Sequence, residues 1–132
     1  MVTSGVSSVH EATIAKSILK TILDTASKNE AREVLRVDME VGEICLVNVE
    51  QLAFLVGTFA RDTVAKDMEF LVTKVETRIR CTQCAYVGGV EYREIEPEWH
   101  YRVPIFACVR CKSGMTEIVQ GRELTIKSID VR

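Results

Sequence analysis

Two Cys-x-x-Cys pairs, Cys81-Thr82-Gln83-Cys84 and Cys108-Val109-Arg110-Cys111, are the feature that most constrains the fold of this chain. Each pair places two thiols on one tight turn, and four thiolates are the ligand set that tetrahedral Zn²⁺ prefers in structural sites. The 23 residues between the pairs exceed the usual spacing, so we expect more than a plain hairpin there. Four protein ligands leave no open position for water, so the predicted metal is structural.

Disulfides and redox chemistry are the alternatives for these cysteines. Disulfide bonds persist in oxidising compartments, and the start of the chain lacks the basic and apolar regions of a signal peptide. A thioredoxin-type redox site needs only one Cys-x-x-Cys pair. Iron in a rubredoxin-like site uses the same four ligands as zinc, so the sequence separates these two metals only weakly. We predict one tetrathiolate site, with zinc as its preferred metal.

Composition limits the size of the core and the kinds of partner. With 132 residues, 47% of them hydrophobic, the chain can bury one modest core, and the metal site then holds a small second lobe together. The formal net charge of −2 and the lack of a long basic run argue against nucleic acid as a partner. No stretch reaches the ~18 to 20 apolar residues of a membrane span, and reduced cysteines favour the cytoplasm.

The N-terminal part of the chain predicts a tail and one amphipathic helix. Residues 1–8 are small and mostly polar, and we expect a mobile tail there. From His10 onward, apolar side chains recur every four residues at Ile14, Ile18, Ile22 and Ala26. This spacing is typical of a helix with one buried face, which we expect to begin at His10 and to end near Asn29.

The next segments predict a strand, a second helix and another strand. Apolar and charged residues alternate over residues 35–41, which indicates a strand with one buried face. Asn48 and Gln51 have the spacing of a capping box, so a helix should begin there and run to about Val64. Residues 68–80 are then predicted to form a strand that leads into the first cysteine pair.

Between the cysteine pairs we predict a short hairpin turned by Gly88-Gly89, and after them a terminal strand that follows Gly121. The predicted fold is α+β, with two helices packed on a small three-stranded sheet and an inserted zinc-ribbon-like lobe. The main domain comprises residues 1–78 and 120–132, and the zinc lobe comprises residues 79–119.

The histidines of the chain are His10 and His100. His10 opens the predicted first helix, where the first N–H groups have no acceptor within the helix. An imidazole and such main-chain nitrogens form the square-planar set that suits Ni²⁺, because these amides can lose their protons without breaking helix hydrogen bonds. A histidine at a helix start is also a common solvated surface residue, and His100 fits an aromatic-flanked surface loop. The residues alone leave these interpretations open.

The order of these motifs resembles the HypA/HybF family of nickel-insertion proteins for hydrogenase maturation. The motifs are the His-Glu dipeptide at the first helix, Val41-Gly42-Glu43 after the first strand, Asn48 before the second helix, and the paired cysteines. The resemblance extends from about Val9 to Val131. It implies zinc ligation by Cys81, Cys84, Cys108 and Cys111. It also implies nickel ligation by His10, with the main chain of Val9 and Glu11 assisting, and some family members lend a histidine from the region of His100.

The amino terminus departs from the family pattern. Family members begin Met-His-Glu and use their terminal amine as a nickel ligand, whereas this chain has Val9 at that position after eight further residues. A primary amine with a pKa near ~8 is a better ligand than an internal amide, so the site as written should be weakened. We hypothesise that Val9 marks the true start, read as Met from a valine-type initiation codon, and that residues 1–8 are an artefact.

The sequence therefore predicts a nickel metallochaperone and not an enzyme. It would carry Ni²⁺ at His10 and pass it to the large subunit of a [NiFe]-hydrogenase, with a partner GTPase that the resemblance implies. Zinc would be structural, and the protein would be a cytoplasmic monomer or homodimer with no nucleic-acid or membrane partner. The alternatives are a zinc-ribbon module that binds nucleic acid or protein, and a rubredoxin-like iron redox protein.

Overall fold

The computed structural model of the chain describes the main chain of residues 2–95 and 101–132, and the side chains of residues 11–94 and 102–132. The first half of the chain forms α1 (Val2–Lys28), β1 (Val34–Gly42) and α2 (Val49–Phe59). The chain then continues through β2 (Glu69–Val75), β3 (Arg78–Cys81), β4 (Val87–Gly89), β5 (Glu91–Ile95), β6 (Tyr101–Ile105), β7 (Thr116–Gln120) and β8 (Leu124–Val131). These elements confirm the predicted α+β class.

The chain divides into two compact units. The first unit comprises Met1–Glu40, Val47–Thr73 and Thr125–Arg132, and the second comprises Val41–Leu46 and Lys74–Leu124. The sequence had placed the boundaries at 78/79 and 119/120. The second unit therefore takes in more of the chain on both sides of the cysteine pairs, and it also includes the short segment that follows β1.

Nonpolar side chains from both helices and from β1 form the core of the first unit. The buried positions are Ala15, Ile18, Leu19, Ile22 and Ala26 on α1, Val34, Val37 and Met39 on β1, and Leu52 and Val56 on α2. The predicted four-residue spacing on α1 is present in this list, and so is the two-residue spacing on β1. Burial of a side chain of this size contributes about 1.5 to 3 kcal/mol, so these positions account for much of the stability of the unit.

The three-stranded sheet has the order β2-β1-β8, with β1 in the centre. The terminal strand β8 therefore lies next to β1, which confirms the predicted three-stranded sheet. Along β8 the less exposed side chains are Ile126, Ile129 and Val131. Their spacing changes from three residues to two, so the inward-facing positions change phase within the strand.

Helix α1 differs from the prediction because it begins at Val2 and not at His10. Residues 2–8 are therefore helical. Once the amphipathic part has nucleated a helix, each added residue forms one more hydrogen bond at little further entropic cost. Gly5 disfavours helix by only about 1 kcal/mol, which is not enough to stop this propagation.

Helix α2 begins as predicted, because the Asn48 side chain accepts a hydrogen bond from the Gln51 amide at 2.9 Å. It ends at Phe59, before the predicted end near Val64. The Thr63 hydroxyl donates to the Ala60 carbonyl at 2.7 Å and accepts from the Ala65 amide at 3.0 Å. These side-chain bonds give the main chain an alternative to further helix and terminate α2 early.

The strand predicted over residues 68–80 is interrupted. It forms β2 and β3, which belong to different sheets. The break falls at Thr77, which is buried and whose amide donates to Glu43 Oε1 at 2.9 Å instead of to a neighbouring strand. A side-chain acceptor that replaces a ladder partner ends the strand, and a pattern of alternating residues does not reveal this.

The second unit also contains a sheet of order β4-β3-β7 and a separate two-stranded ribbon, β5-β6. Gly88 and Gly89 lie in β4, opposite Ile79 and Arg78 of β3, so the turn predicted at these glycines is wrong. The first cysteine pair forms the turn of that hairpin instead. Among the described residues, no helix is both long and apolar enough to cross a membrane.

Gly42 lies where two chain segments of the second unit approach closely. Its amide donates to the Glu123 carbonyl at 2.8 Å, and the Ile44 amide donates to the Gly121 carbonyl at 2.9 Å. A Cβ atom on Gly42 would lie 2.2 Å from the Gly121 carbonyl oxygen. Since the obstructing atom belongs to the main chain, no side-chain rotation can make room, and only glycine fits.

We predict that Gly42→Ala lowers the free energy of unfolding by about 3 kcal/mol, because the added methyl group forces two hydrogen-bonded segments apart. Urea unfolding of zinc-loaded protein, followed by circular dichroism, measures this change. Gly57→Ala is the matched control, because Gly57 lies within α2 and its Cβ would meet no atom within 4 Å. The control should stabilise the protein by roughly 0.5 to 1 kcal/mol. An equal loss in both variants would contradict the steric explanation.

Candidate metal centre

The four cysteines of the two Cys-x-x-Cys pairs converge in the second unit. Cys81 is the last residue of β3, Cys84 lies in the turn that leads to β4, and Cys108 and Cys111 lie in the turn before β7. Their ligand atoms all lie within 4.8 Å of one another. The antiparallel pairing of β3 with β7, in which Cys81 is opposite Thr116, brings the two turns together.

The spacing of the sulfur atoms fits a tetrahedral metal ion. The Sγ atoms of Cys81 and Cys111 are 3.6 Å apart, and so are those of Cys84 and Cys108. Zinc–sulfur bonds of about 2.3 Å in a tetrahedron require sulfur atoms roughly 3.8 Å apart. The four thiols can therefore hold one Zn²⁺ ion with little movement, and no position remains for a catalytic water.

Main-chain amides support the sulfur atoms within each turn. The Gln83 amide donates to Cys81 Sγ at 3.4 Å, and the Arg110 and Cys111 amides donate to Cys108 Sγ at 3.3 and 3.4 Å. Such N–H donors stabilise thiolates and orient them toward a metal. The turns therefore supply the second layer of contacts that a structural site requires.

The residue after each cysteine pair adopts a left-handed conformation. Ala85 has φ 68° and Lys112 has φ 65°. Their amides close the turns by donating to the carbonyls of Cys81 and Cys108, at 3.0 and 2.9 Å. Glycine usually occupies such positions, so it was the cysteine spacing, and not a turn glycine, that predicted the two tight turns.

A positive charge lies beside the cluster. The Arg110 guanidinium donates to the Cys84 carbonyl oxygen at 2.6 Å. A hydrogen bond from the main-chain amide of Tyr86, assisted by Arg110, lowers the pKa of the Cys84 thiol from 9.0 to about 6. This thiol is therefore ionised at neutral pH and ready to bind a cation, because thiolates and not thiols are metal ligands.

Cys45 does not belong to this cluster. It ends the short 3₁₀ helix Glu43–Cys45, and its thiol lies 3.5 Å from the Arg122 carbonyl oxygen. Cys45 is thus a partly buried residue that follows the first strand and lies outside the four that converge.

The expected nickel segment, residues 9–11, lies inside α1. Because the helix begins at Val2, the expectation that His10 opens the helix is wrong for the chain as written. Within an α-helix each N–H donates to the carbonyl four residues earlier, so the amides of Val9, His10 and Glu11 are committed to helix hydrogen bonds. The second predicted imidazole, that of His100, lies outside the described residues.

Glu11 has a role that the sequence did not reveal. Its side chain is 3% exposed, and its Oε2 accepts a hydrogen bond from the Asn48 amide at 2.6 Å. Its Oε1 is buried and has no hydrogen-bond partner among the described residues. The carboxylate lies at the N-terminus of α2, where the helix dipole favours negative charge. Glu11 thus fixes the main chain next to His10 relative to the start of α2.

A protein-family model described as HypA, hydrogenase/urease nickel incorporation metallochaperone, matches residues 9–131. The chain is 33% identical over 123 residues to a hydrogenase maturation factor HypA of Methanothermobacter thermautotrophicus, a match that covers 93% of this chain and 97% of the relative. It is 35% identical over 123 residues to the factor of the same name from Chlorobium phaeobacteroides, with 93% and 99% covered.

Solved structures share the fold. The solution structure of the Ni metallochaperone HypA from Helicobacter pylori matches with a TM-score of 0.63 and 21% identity, over 92% of this chain and 96% of that one. A second solution structure of a HypA protein matches with a TM-score of 0.67 and 22% identity, over 94% and 97%. At these identities the likeness concerns the fold.

We predict that Ala85→Gly makes the metal centre more stable. A left-handed conformation costs a non-glycine residue about 1 to 2 kcal/mol, of which the flexibility of glycine in the unfolded chain cancels part. The net gain should be about 0.5 to 1 kcal/mol, measured as slower transfer of zinc to a chelator and as a higher unfolding midpoint. Ala31→Gly, which removes the same atoms at a residue whose φ is not positive, should leave zinc transfer unchanged. Faster zinc loss from Ala85→Gly would count against the assigned strain.

Proposed function

Because this chain belongs to the HypA family of nickel-incorporation metallochaperones, we propose that it binds Ni²⁺ at residues 9–11 and delivers it for maturation of a [NiFe]-hydrogenase. The family model covers nearly the whole chain, and the curated relatives carry the name hydrogenase maturation factor. The protein acts as a carrier, and the metal is its cargo.

Nickel chemistry favours a nitrogen-rich site around His10. The imidazole supplies one ligand. The main-chain nitrogens of Val9 and Glu11 supply others in a square-planar arrangement, once local opening of α1 has released these amides from their helix hydrogen bonds. The structural observation that supports this placement is the buried Glu11 carboxylate, bonded to the Asn48 amide at 2.6 Å. That bond holds one end of the proposed ligand segment in a fixed position and leaves the residues before it to adapt to the ion.

The four cysteines serve a different purpose from the nickel ligands. A closed set of four sulfurs holds zinc and maintains the second unit, and it offers no route for rapid exchange. A carrier must bind its cargo and release it, which suits ligands near one end of a long helix, where local opening needs little free energy. We place the transported Ni²⁺ at His10 and the resident Zn²⁺ at the cysteines.

Delivery requires a recipient and a regulated transfer step. We propose that the recipient is the large subunit of a [NiFe]-hydrogenase, and that a GTPase of the same maturation route assists the transfer. The zinc-bearing unit offers a surface for docking that does not involve the nickel ligands, since these lie in the first unit.

We predict that His10→Ala abolishes stoichiometric nickel binding and leaves one equivalent of zinc bound. The imidazole is the one side-chain ligand of the proposed set, whereas the zinc site lies in the other unit. Nickel titration by calorimetry, with elemental analysis of zinc, measures both. His100→Ala is the matched control and should retain nickel. Full nickel binding by His10→Ala would refute the proposed site.

We also predict that a chain that begins at position 9 binds nickel more tightly than the full chain. Its terminal amine, with a pKa near ~8, would replace an internal amide as a ligand. An affinity gain of at least about tenfold is expected, equivalent to ~1.4 kcal/mol. A chain that begins at position 7 is the control, because its terminal amine is not adjacent to His10. Equal affinities in all three forms would show that no amine takes part.

A further inference from the structure

The segment that joins β1 to α2, residues 43–48, is held at both ends by side chains from other parts of the chain. We call it the connector. At its first residue, the Glu43 carboxylate accepts hydrogen bonds through Oε1 from the Thr77 amide at 2.9 Å and from the Tyr92 hydroxyl at 2.6 Å. At its last residue, the Asn48 amide donates to Glu11 Oε2 at 2.6 Å. Neither carboxylate has a role in zinc binding.

The bond between Glu43 and Tyr92 is charge-assisted. Burial raises the pKa of Glu43, but the hydrogen bonds from Thr77 and Tyr92 outweigh this effect and lower it below the ordinary value of 4.5. Burial and the adjacent carboxylate raise the pKa of Tyr92 to about 12. At neutral pH an ionised acceptor therefore faces a protonated donor, which is the stronger class of hydrogen bond.

The aromatic ring of Tyr92 is itself held in place. The Arg102 guanidinium lies over this ring, 4.0 Å from its centroid. Tyr92 belongs to β5 and Arg102 to β6, the two strands of the ribbon that connects the cysteine pairs. Glu43 is therefore bonded to a side chain that both ribbon strands position.

Within the connector, Leu46 adopts an unfavourable conformation. It has φ 54° and ψ 36°, in the left-handed region, and its side chain is 60% exposed. Packing of this side chain cannot explain the conformation. Strain of this kind persists only where surrounding contacts impose it, and the bonds at Glu43 and Asn48 are such contacts. If either bond is lost, Leu46 can relax and shift the neighbouring main chain.

We propose that the hydrogen bond between Tyr92 and Glu43 positions the nickel site by fixing the connector, so that Asn48 stays in place as the donor to Glu11. Glu43 and Tyr92 are then positioning residues that act through residues 44–48 and Glu11, without contact with the metal. The inference rests on the proposed nickel binding next to Glu11. It identifies Glu43 and Tyr92 as side chains outside the ligand set on which the affinity for nickel depends.

The first test removes one hydroxyl group. Tyr92→Phe should weaken nickel binding about fivefold to tenfold, because it removes one charge-assisted hydrogen bond from the connector, and it should leave zinc stoichiometry unchanged. Tyr86→Phe is the matched control, because its hydroxyl donates to the Gly89 carbonyl at 2.9 Å and not to the connector. Equal weakening in both variants, or none in Tyr92→Phe, overturns the proposal.

Hydrogen exchange of the Asn48 amide gives a readout that needs no nickel. Loss of the hydrogen bond between Tyr92 and Glu43 should make this amide exchange at least about tenfold faster in Tyr92→Phe than in the parent chain. If the parent chain binds no nickel, the proposed function fails. This measurement still tests whether the hydrogen bond between Tyr92 and Glu43 fixes the connector. If nickel binds through His10 but Asn48 exchange is unaffected by Tyr92→Phe, the positioning role fails alone.

Relief of strain at Leu46 provides a rescue experiment. Glycine adopts the left-handed conformation without a steric penalty, so Leu46→Gly lets the connector keep its shape without the hydrogen bond between Tyr92 and Glu43. The double variant Tyr92→Phe, Leu46→Gly should recover nickel affinity to within about twofold of Leu46→Gly alone. Glu43→Gln, which keeps the size of the side chain and removes its charge, should weaken nickel binding about threefold. If the double variant does not recover its nickel affinity, Tyr92 does not act through the connector.

Discussion

Four cysteine sulfurs held within 4.8 Å of one another are the constraint on which the second unit depends. Among its described residues, the buried nonpolar side chains are few: Val41, Ile79, Cys81, Pro104 and Cys108. So small a core cannot offset the entropy lost when the unit folds, and adjacent thiolates repel one another unless a cation lies between them. A metal ion bound there therefore contributes directly to the free energy of folding.

The stability of the first unit has a different physical basis. It comes from nonpolar side chains of α1, β1 and α2. Among the described residues of this unit, Glu11 has a buried carboxyl group, which accepts a hydrogen bond at the start of α2. In the function proposed above, a cargo ion binds and leaves next to this anchor without loss of the fold.

The Val41-Gly42-Glu43 sequence has a separate physical reason at each position. Val41 is fully buried and ends the nonpolar pattern of β1. Gly42 allows a main-chain approach that any Cβ would block at Gly121. Glu43 accepts a hydrogen bond from the Thr77 amide, where the long predicted strand is interrupted, and another from the Tyr92 hydroxyl of β5. Three consecutive residues thus complete the core, permit close passage of the chain and fix the connector, which explains why this short motif is informative about the fold.

The sequence by itself determined the α+β class, the core faces of α1 and β1, the cap at Asn48 and the four cysteines that converge. These features follow from local periodicity, capping chemistry and ligand spacing, all of which can be read directly from short stretches of the sequence. Only the tertiary structure decided that Glu11 bonds to Asn48, that Glu43 interrupts the long strand at Thr77, and that Gly88 lies in a strand. Each of these depends on a partner distant in the chain, and no local pattern encodes which distant group will satisfy a buried amide or carboxylate.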